Sequence, residues 1–262
     1  MAAAISDQRA PPPALDARCA LFLDVDGTLL DFAPTPDGVV LSPAVPRTLQ
    51  RLQHHLRGAL ALVSGRPIAQ LDALFAPLRL PAAGLHGQER RIEDARVDAA
   101  VDLAPVRRIA SEAQALARTH PGVIVEDKGA NLALHWRAAP QAADAVRAYA
   151  HDAVRRLPGY RLQPGDHVLE FMPDGMDKGD AVLAFLREPP FRDRTPVFVG
   201  DDLTDEFGFA AAHDSGGWSV LVGGRPGSAA RYGLAGPSAV AAWLERSAGA
   251  LSSQSDDRTE IP

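Results

Sequence analysis

The sequence predicts an α/β protein: a parallel sheet flanked by helices, with an α+β unit inserted into it. Three observations carry this expectation. Short apolar runs at 19–23, 59–63, 196–199 and 218–222 each stop at a turn residue, as buried strands do. Stretches of helical spacing separate them, and strands alternating with helices build a parallel sheet. Between about 87 and 173 the order changes to strand, helix, hairpin, helix, hairpin. That order indicates an antiparallel sheet with helices on one face.

The first run, Cys19–Leu23, ends at Asp24 and Asp26, followed by Gly27-Thr28. In open parallel sheets ligands sit beyond the carboxyl ends of strands. Side chains two apart on an extended segment point the same way, so Asp24 and Asp26 face one site. Adjacent carboxylates repel unless a cation, a proton or a donor compensates, and Mg²⁺, a hard cation, is the economical answer. The same residues also read as an Asp-rich turn. A calcium loop fits poorly, because Gly27 comes one position early and the closing Glu is missing.

A loop is expected around Pro34, Pro36 and Gly38, then a helix over 44–56 carrying Val45, Leu49, Leu52 and Leu56 and broken at Gly58. The strand 59–63 stops at Ser64-Gly65-Arg66-Pro67, and proline is favoured at a helix start. A strand, a glycine turn and a helix N-terminus make an anion site, to which the Ser64 hydroxyl adds a donor. Ser-Gly-Arg also occurs at ordinary turns. A short strand at 82–85 leads into His86-Gly87, and residues 88–103 read as charged and irregular.

Within the insertion, helices are expected at 104–119 and 141–157. A hairpin spans 123–128 and 131–137, and a second pair of strands, 160–163 and 167–172, turns at Pro164-Gly165. Leu132, Leu134 and Trp136 alternate with His135 and Arg137, and Glu170 lies between Leu169 and Phe171. One face is therefore apolar, against the helices, and the other polar. Glu126, Lys128 and Glu170 on the polar face suit sugar hydroxyls, which accept or donate in fixed directions. A merely solvated sheet face has the same alternation.

After a helix at 178–187, the strand 196–199 ends in Gly200-Asp201-Asp202 with Asp205 close behind. One Asp suffices to cap a helix; three within five residues suggest a cation. Lys178 sits in a first helical turn, where the dipole disfavours a cation. Either Asp177 and Asp180 offset it in a surface cluster, or it neutralises a phosphoryl group and Asp24. A strand at 218–222 and a helix at 238–247 complete the chain, with residues 1–17 and 249–262 expected as disordered tails.

With 262 residues and 46% hydrophobic composition, the chain supports a sizeable core. A net charge of −6 gives no basic footprint for nucleic acid or an anionic membrane. No apolar stretch has the length of a membrane span, and no signal peptide is recognisable. The single cysteine, Cys19, reads as a buried thiol in a reducing compartment. A cytoplasmic monomer with a small-molecule substrate is expected.

Asp24-Val-Asp-Gly-Thr-Leu, Ser64, Lys178 and Gly200-Asp-Asp-x-x-Asp resemble, in order, the four motifs of the haloacid dehalogenase superfamily of aspartate-nucleophile phosphatases. The resemblance implies a Rossmann-like core at 18–86 and 174–248, with a cap at 87–173 that closes over the substrate. It implies Asp24 as nucleophile, Asp26 as general acid and base, and Ser64 and Lys178 on the phosphoryl oxygens. Mg²⁺ would be held by Asp24, the Asp26 carbonyl and Asp201, with Asp202 and Asp205 nearby. Gly84-Leu-His-Gly-Gln-Glu, Val125-Glu-Asp-Lys through His135-Trp-Arg, and Leu169-Glu-Phe-Met-Pro are similar to stretches of the trehalose-6-phosphate phosphatases. That likeness implies Glu126, Lys128 and Glu170 on a disaccharide, with Arg66 and His86 near the hinge or phosphate. A phosphatase for sucrose phosphate or mannosylglycerate phosphate, a mutase-like phosphoryl transfer and a non-catalytic sugar-phosphate sensor are the competing readings. Against the sensor, every candidate catalytic group is present.

Overall fold

The computed structural model describes residues 9–31, 42, 44–98 and 102–256. The loop expected around Pro34–Gly38 lies outside these residues. The chain divides into two units, 1–97 with 177–262, and 98–176.

The first unit is built on an eight-stranded sheet. Its strands and helices are β1 (Cys19–Leu23), α1 (Ala44–His55), β2 (Leu60–Val63), α2 (Ile68–Phe75), β3 (Ala82–Gly84), β4 (Glu89–Ile92) and β5 (Ala95–Asp98). After the second unit come α5 (Lys178–Leu186), β10 (Thr195–Gly200), α6 (Asp205–Asp214), β11 (Trp218–Val222), β12 (Tyr232–Leu234) and α7 (Pro237–Asp256). The sheet order is β12-β11-β10-β1-β2-β3-β4-β5, parallel from β12 to β3. The near-continuous apolar strands follow from this, since both faces of β1, β2 and β10 are buried. Phe22, Phe185 and Phe191 pack with ring centroids 4.9–5.8 Å apart in the centre of this core.

Three expectations are corrected here. Residues 88–98 are not irregular: β4 pairs antiparallel with β3, and β5 follows at the sheet edge. The boundary between the units therefore falls near 98, not at 87. The buried Arg91 explains why a charged stretch makes a strand, because its guanidinium is paired with Asp72 at 2.6 and 2.7 Å and reaches the Leu80 carbonyl at 2.9 Å. Two stretches expected as tails belong to the fold. Leu15 is buried in the main core, Trp243 Nε1 donates to the Pro13 carbonyl at 2.8 Å, and α7 continues to Asp256 with Ala248 and Leu251 buried. The helix expected at 238–247 thus runs nine residues further, through a polar stretch whose buried positions are few. The strand β12, too short for a periodic signal, went unrecognised.

The second unit contains α3 (Leu103–Thr119), β6 (Ile124–Asp127), β7 (Leu132–His135), α4 (Ala143–Val154), β8 (Tyr160–Gly165) and β9 (Val168–Pro173). Its antiparallel sheet has the order β6-β7-β9-β8. The register aligns Glu126, Ala133, Glu170 and Gln163 in one row across all four strands. The alternate residues Leu132, Leu134, Leu169 and Phe171 are buried with Val106, Ile109 and Ala113 of α3 and Val146 and Ala150 of α4. The turn between β8 and β9 is Asp166-His167, not Pro164-Gly165, and His167 takes the left-handed conformation it requires (φ 58°).

Candidate active site

The carboxyl ends of β1, β2 and β10 assemble the site in the first unit. Asp24 continues β1 by donating its N–H to the Val199 carbonyl at 2.9 Å. Its carboxylate is buried, and Oδ1 accepts from Lys178 Nζ at 2.8 Å. The same ammonium donates to Asp205 Oδ1 at 2.6 Å. Lys178 is 3% exposed, so it is no member of a surface cluster. Asp177 and Asp180 instead form a reciprocal cap: Asp177 Oδ1 accepts from Gly179 N and Asp180 N at 2.8 and 3.0 Å, and Asp180 Oδ2 accepts from Asp177 N at 3.1 Å. Capping at α5 frees the lysine to turn inward.

Asp205 has both oxygens engaged. Oδ2 accepts from the N–H groups of Asp201 and Asp202, each at 2.9 Å, which folds the loop after β10 around it. Asp201 is held from the other side by Thr28, whose hydroxyl donates to Oδ1 at 3.3 Å. Gly27 has φ +82°, and a Cβ there would lie 2.2 Å from Asp201 Oδ2, so only glycine lets the two loops approach.

Asp24, Asp201 and Asp205 each offer one carboxylate oxygen, all within 4.8 Å of one another. Burial pushes the Asp24 carboxyl up to about 7, with Lys178 opposing and Asp205 and Asp26 adding to the rise. Burial likewise pushes Asp201 up to about 9, with Asp24 and Asp205 reinforcing it. Burial would lower Lys178, but its contacts with Asp205 and Asp24 raise it well above the ordinary lysine value. One ammonium thus faces two buried carboxylates and a half-buried third, and the surplus of hard anionic oxygens fits a divalent cation.

Two neighbouring carboxylates are engaged elsewhere. The Asp26 carboxylate is bound at two points by Arg66, Nε to Oδ2 and Nη2 to Oδ1, both 2.7 Å. Asp202 Oδ1 accepts from Leu203 N at 2.6 Å, an N-terminal turn contact. Neither carboxylate joins the trio. Ser64 is buried at the end of β2, and its Oγ accepts from Arg66 N at 3.1 Å. His86 is buried and left-handed (φ 57°), donates its N–H to the Ser64 carbonyl at 3.0 Å, and lies so close to Gly65 that a Cβ there would be 2.7 Å from Nε2.

Thr28 and Arg225 contribute without having been singled out. Arg225, after β11, donates to the carbonyls of Asp201 at 3.4 Å and Asp202 at 3.3 Å and pairs with Glu206, so it holds the acidic loop by its backbone. Its place just past a parallel strand's carboxyl end was the available signal.

In the second unit, the three residues expected on a sugar form one cluster on the polar face. Lys128 Nζ lies 3.2 Å from Glu170 Oε1 and 3.8 Å from Glu126 Oε2. His135 Nε2 lies 3.0 Å from Glu126 Oε2, and Asn131 Nδ2 donates to Glu170 Oε1 at 3.0 Å. The sequence alternation places His135 on this face, whereas Asn131, beside the Gly129-Ala130 turn, carries no periodic signal.

The trehalose-phosphatase family model matches residues 22–237. A probable trehalose-phosphate phosphatase of Sinorhizobium fredii is 45% identical over 205 residues, 78% of this chain and 77% of its own length. The trehalose-6-phosphate phosphatase of Escherichia coli is 44% identical over 234 residues, covering 89% of this chain and 88% of that one. Among solved structures, the C-terminal domain of the Candida albicans trehalose-6-phosphate phosphatase superposes with a TM-score of 0.77 at 21% identity, covering 93% of this chain and 99% of that one. At that identity the likeness concerns the fold alone.

Proposed function

We propose a reaction from one premise: this chain belongs to the trehalose-phosphatase family. It hydrolyses trehalose 6-phosphate to trehalose and phosphate through a covalent intermediate on Asp24. The observation that carries the chemistry is the buried Asp24 carboxylate at the end of β1, opposed by Lys178 at 2.8 Å and gathered with Asp201.

An Asp24 oxygen bonds to phosphorus as the bond from phosphorus to the sugar oxygen breaks. Asp26 gives that oxygen a proton, then takes one from the water whose oxygen attacks phosphorus. Asp24 leaves as a carboxylate and inorganic phosphate departs, so one difficult displacement becomes two easier ones. Ser64 and Lys178 bind the phosphoryl oxygens where charge spreads. Arg66 holds Asp26 until an incoming phosphoryl group offers the guanidinium another anion; Asp26 is then released to the leaving oxygen. Asp24 and Asp201 would hold Mg²⁺, which when bound supplies positive charge against the phosphoryl oxygens. Glu126, Lys128 and Glu170 take the disaccharide hydroxyls.

The test is phosphate release with and without Mg²⁺ from trehalose 6-phosphate, sucrose 6-phosphate, mannose 6-phosphate, glucose 6-phosphate and an aryl phosphate. A strong Mg²⁺-dependent preference for trehalose 6-phosphate is expected. Mg²⁺-dependent turnover with another preference would leave the chemistry standing and overturn the substrate.

A further inference from the structure

Glu170, on the polar face of the second unit, is also held from beneath the sheet surface. Asn131 immediately precedes β7 and is completely buried. Its backbone carbonyl accepts from Lys128 N at 3.0 Å, closing the hairpin, while its side-chain Nδ2 donates to Glu170 Oε1 at 3.0 Å. The same Oε1 accepts from Lys128 Nζ at 3.2 Å. Two donors on one oxygen fix the plane of the carboxylate. Among the described residues, the other end of the amide, Oδ1, is buried without a hydrogen-bond partner. Leaving a buried carbonyl oxygen unmatched costs stability, and an apolar residue of the same shape would avoid that cost. An asparagine is therefore a poor choice for packing at this position and a good one for steering a carboxylate.

We propose that Asn131 is a positioning residue for substrate specificity: it orients Glu170 so that this carboxylate accepts from a sugar hydroxyl. The inference rests on the reading of Glu170 as a sugar-binding group. Asn131 acts only through Glu170 and touches no reacting atom.

The experiment measures kcat and KM of full-length wild type, Asn131→Leu, Asn131→Asp and Glu170→Gln with Mg²⁺, on trehalose 6-phosphate and on an aryl phosphate, alongside thermal unfolding. The leucine variant removes both the donor and the unmatched acceptor. The aspartate variant keeps the shape and sets a second carboxyl against Oε1. Both are expected to raise KM for trehalose 6-phosphate by about tenfold or more, the scale of a hydrogen bond to a charged group. Aryl phosphate turnover should change less than about twofold, and the leucine variant should unfold at the wild-type temperature or above it, because no buried acceptor is left unmatched. An unchanged KM for trehalose 6-phosphate in both variants, with Glu170→Gln impaired, would overturn the positioning role alone. Equal losses on both substrates together with a lowered unfolding temperature would mark Asn131 as structural and also overturn it. If Glu170→Gln itself leaves trehalose 6-phosphate turnover intact, the reading of Glu170 fails first, and the proposal falls with it.

Discussion

At the scale of single residues, the site sets stability against function. Asp24, buried, and Asp201, half-buried, are carboxyls whose ionisation the fold resists. Asp24→Asn removes one of them while leaving Lys178 its 2.6 Å partner Asp205. Phosphate release should fall by about a thousandfold or more, as for other lost nucleophiles. The thermal midpoint without Mg²⁺ should stay level or rise, and calorimetry alongside a phosphate assay reads both. Glu126 behaves in the opposite way. Burial would raise its carboxyl, but the His135 hydrogen bond and the Lys128 charge hold it below the ordinary glutamate range. A carboxyl depressed in the fold stabilises above its unfolded value and loses that contribution as pH falls through the folded one. Glu126→Gln should therefore flatten the loss of stability on acidification below about pH 4.3, in urea titrations across pH 3 to 6. The acids and the lysine were legible in sequence because each follows a buried run or opens a helix. The Arg66 pairing of Asp26 was not, because a contact 40 residues apart leaves no local pattern.

At the scale of elements, what could be read depended on length and periodicity. The long amphipathic helices α1 and α3 and the apolar strands β1, β2 and β11 were found nearly to the residue. The strand β4 was obscured because its charges are satisfied by partners distant in sequence, Asp72 for Arg91 and Glu188 for Arg90. The segment 9–16 is obscured because prolines suggest a tail, whereas here the Pro13 carbonyl and the Leu15 N–H bond to Trp243 and Ser247 of α7. This segment is a structural strap. Leu15 is 1% exposed, and Leu15→Ala should cost about 2–5 kcal/mol of unfolding free energy, the range for a buried leucine. Denaturant titration with an unchanged slope would confirm that packing alone was lost.

At the scale of the whole molecule, the proposed function gives recognition to one unit and chemistry to the other. Variants in the first unit, such as Asp201→Asn, should depress turnover of every phosphate ester. Glu126→Gln should depress trehalose 6-phosphate far more than an aryl phosphate. Mg²⁺ should stabilise the wild type by about 2.7 kcal/mol at a hundred times its dissociation constant. Asp201→Asn should lose most of that gain, which thermal unfolding with and without the ion reads without reference to catalysis.

The sheet and helices of residues 98–176 bury their own hydrophobic cluster, and none of its residues belongs to the cluster of the first unit. Inheritance can act on the two separately. On the proposed reading, changes on the row through Glu126, Ala133, Glu170 and Gln163 should alter which sugar is chosen without disturbing a residue on which hydrolysis depends. A lineage built this way can acquire a new substrate by small steps, each of which leaves a working phosphatase behind it.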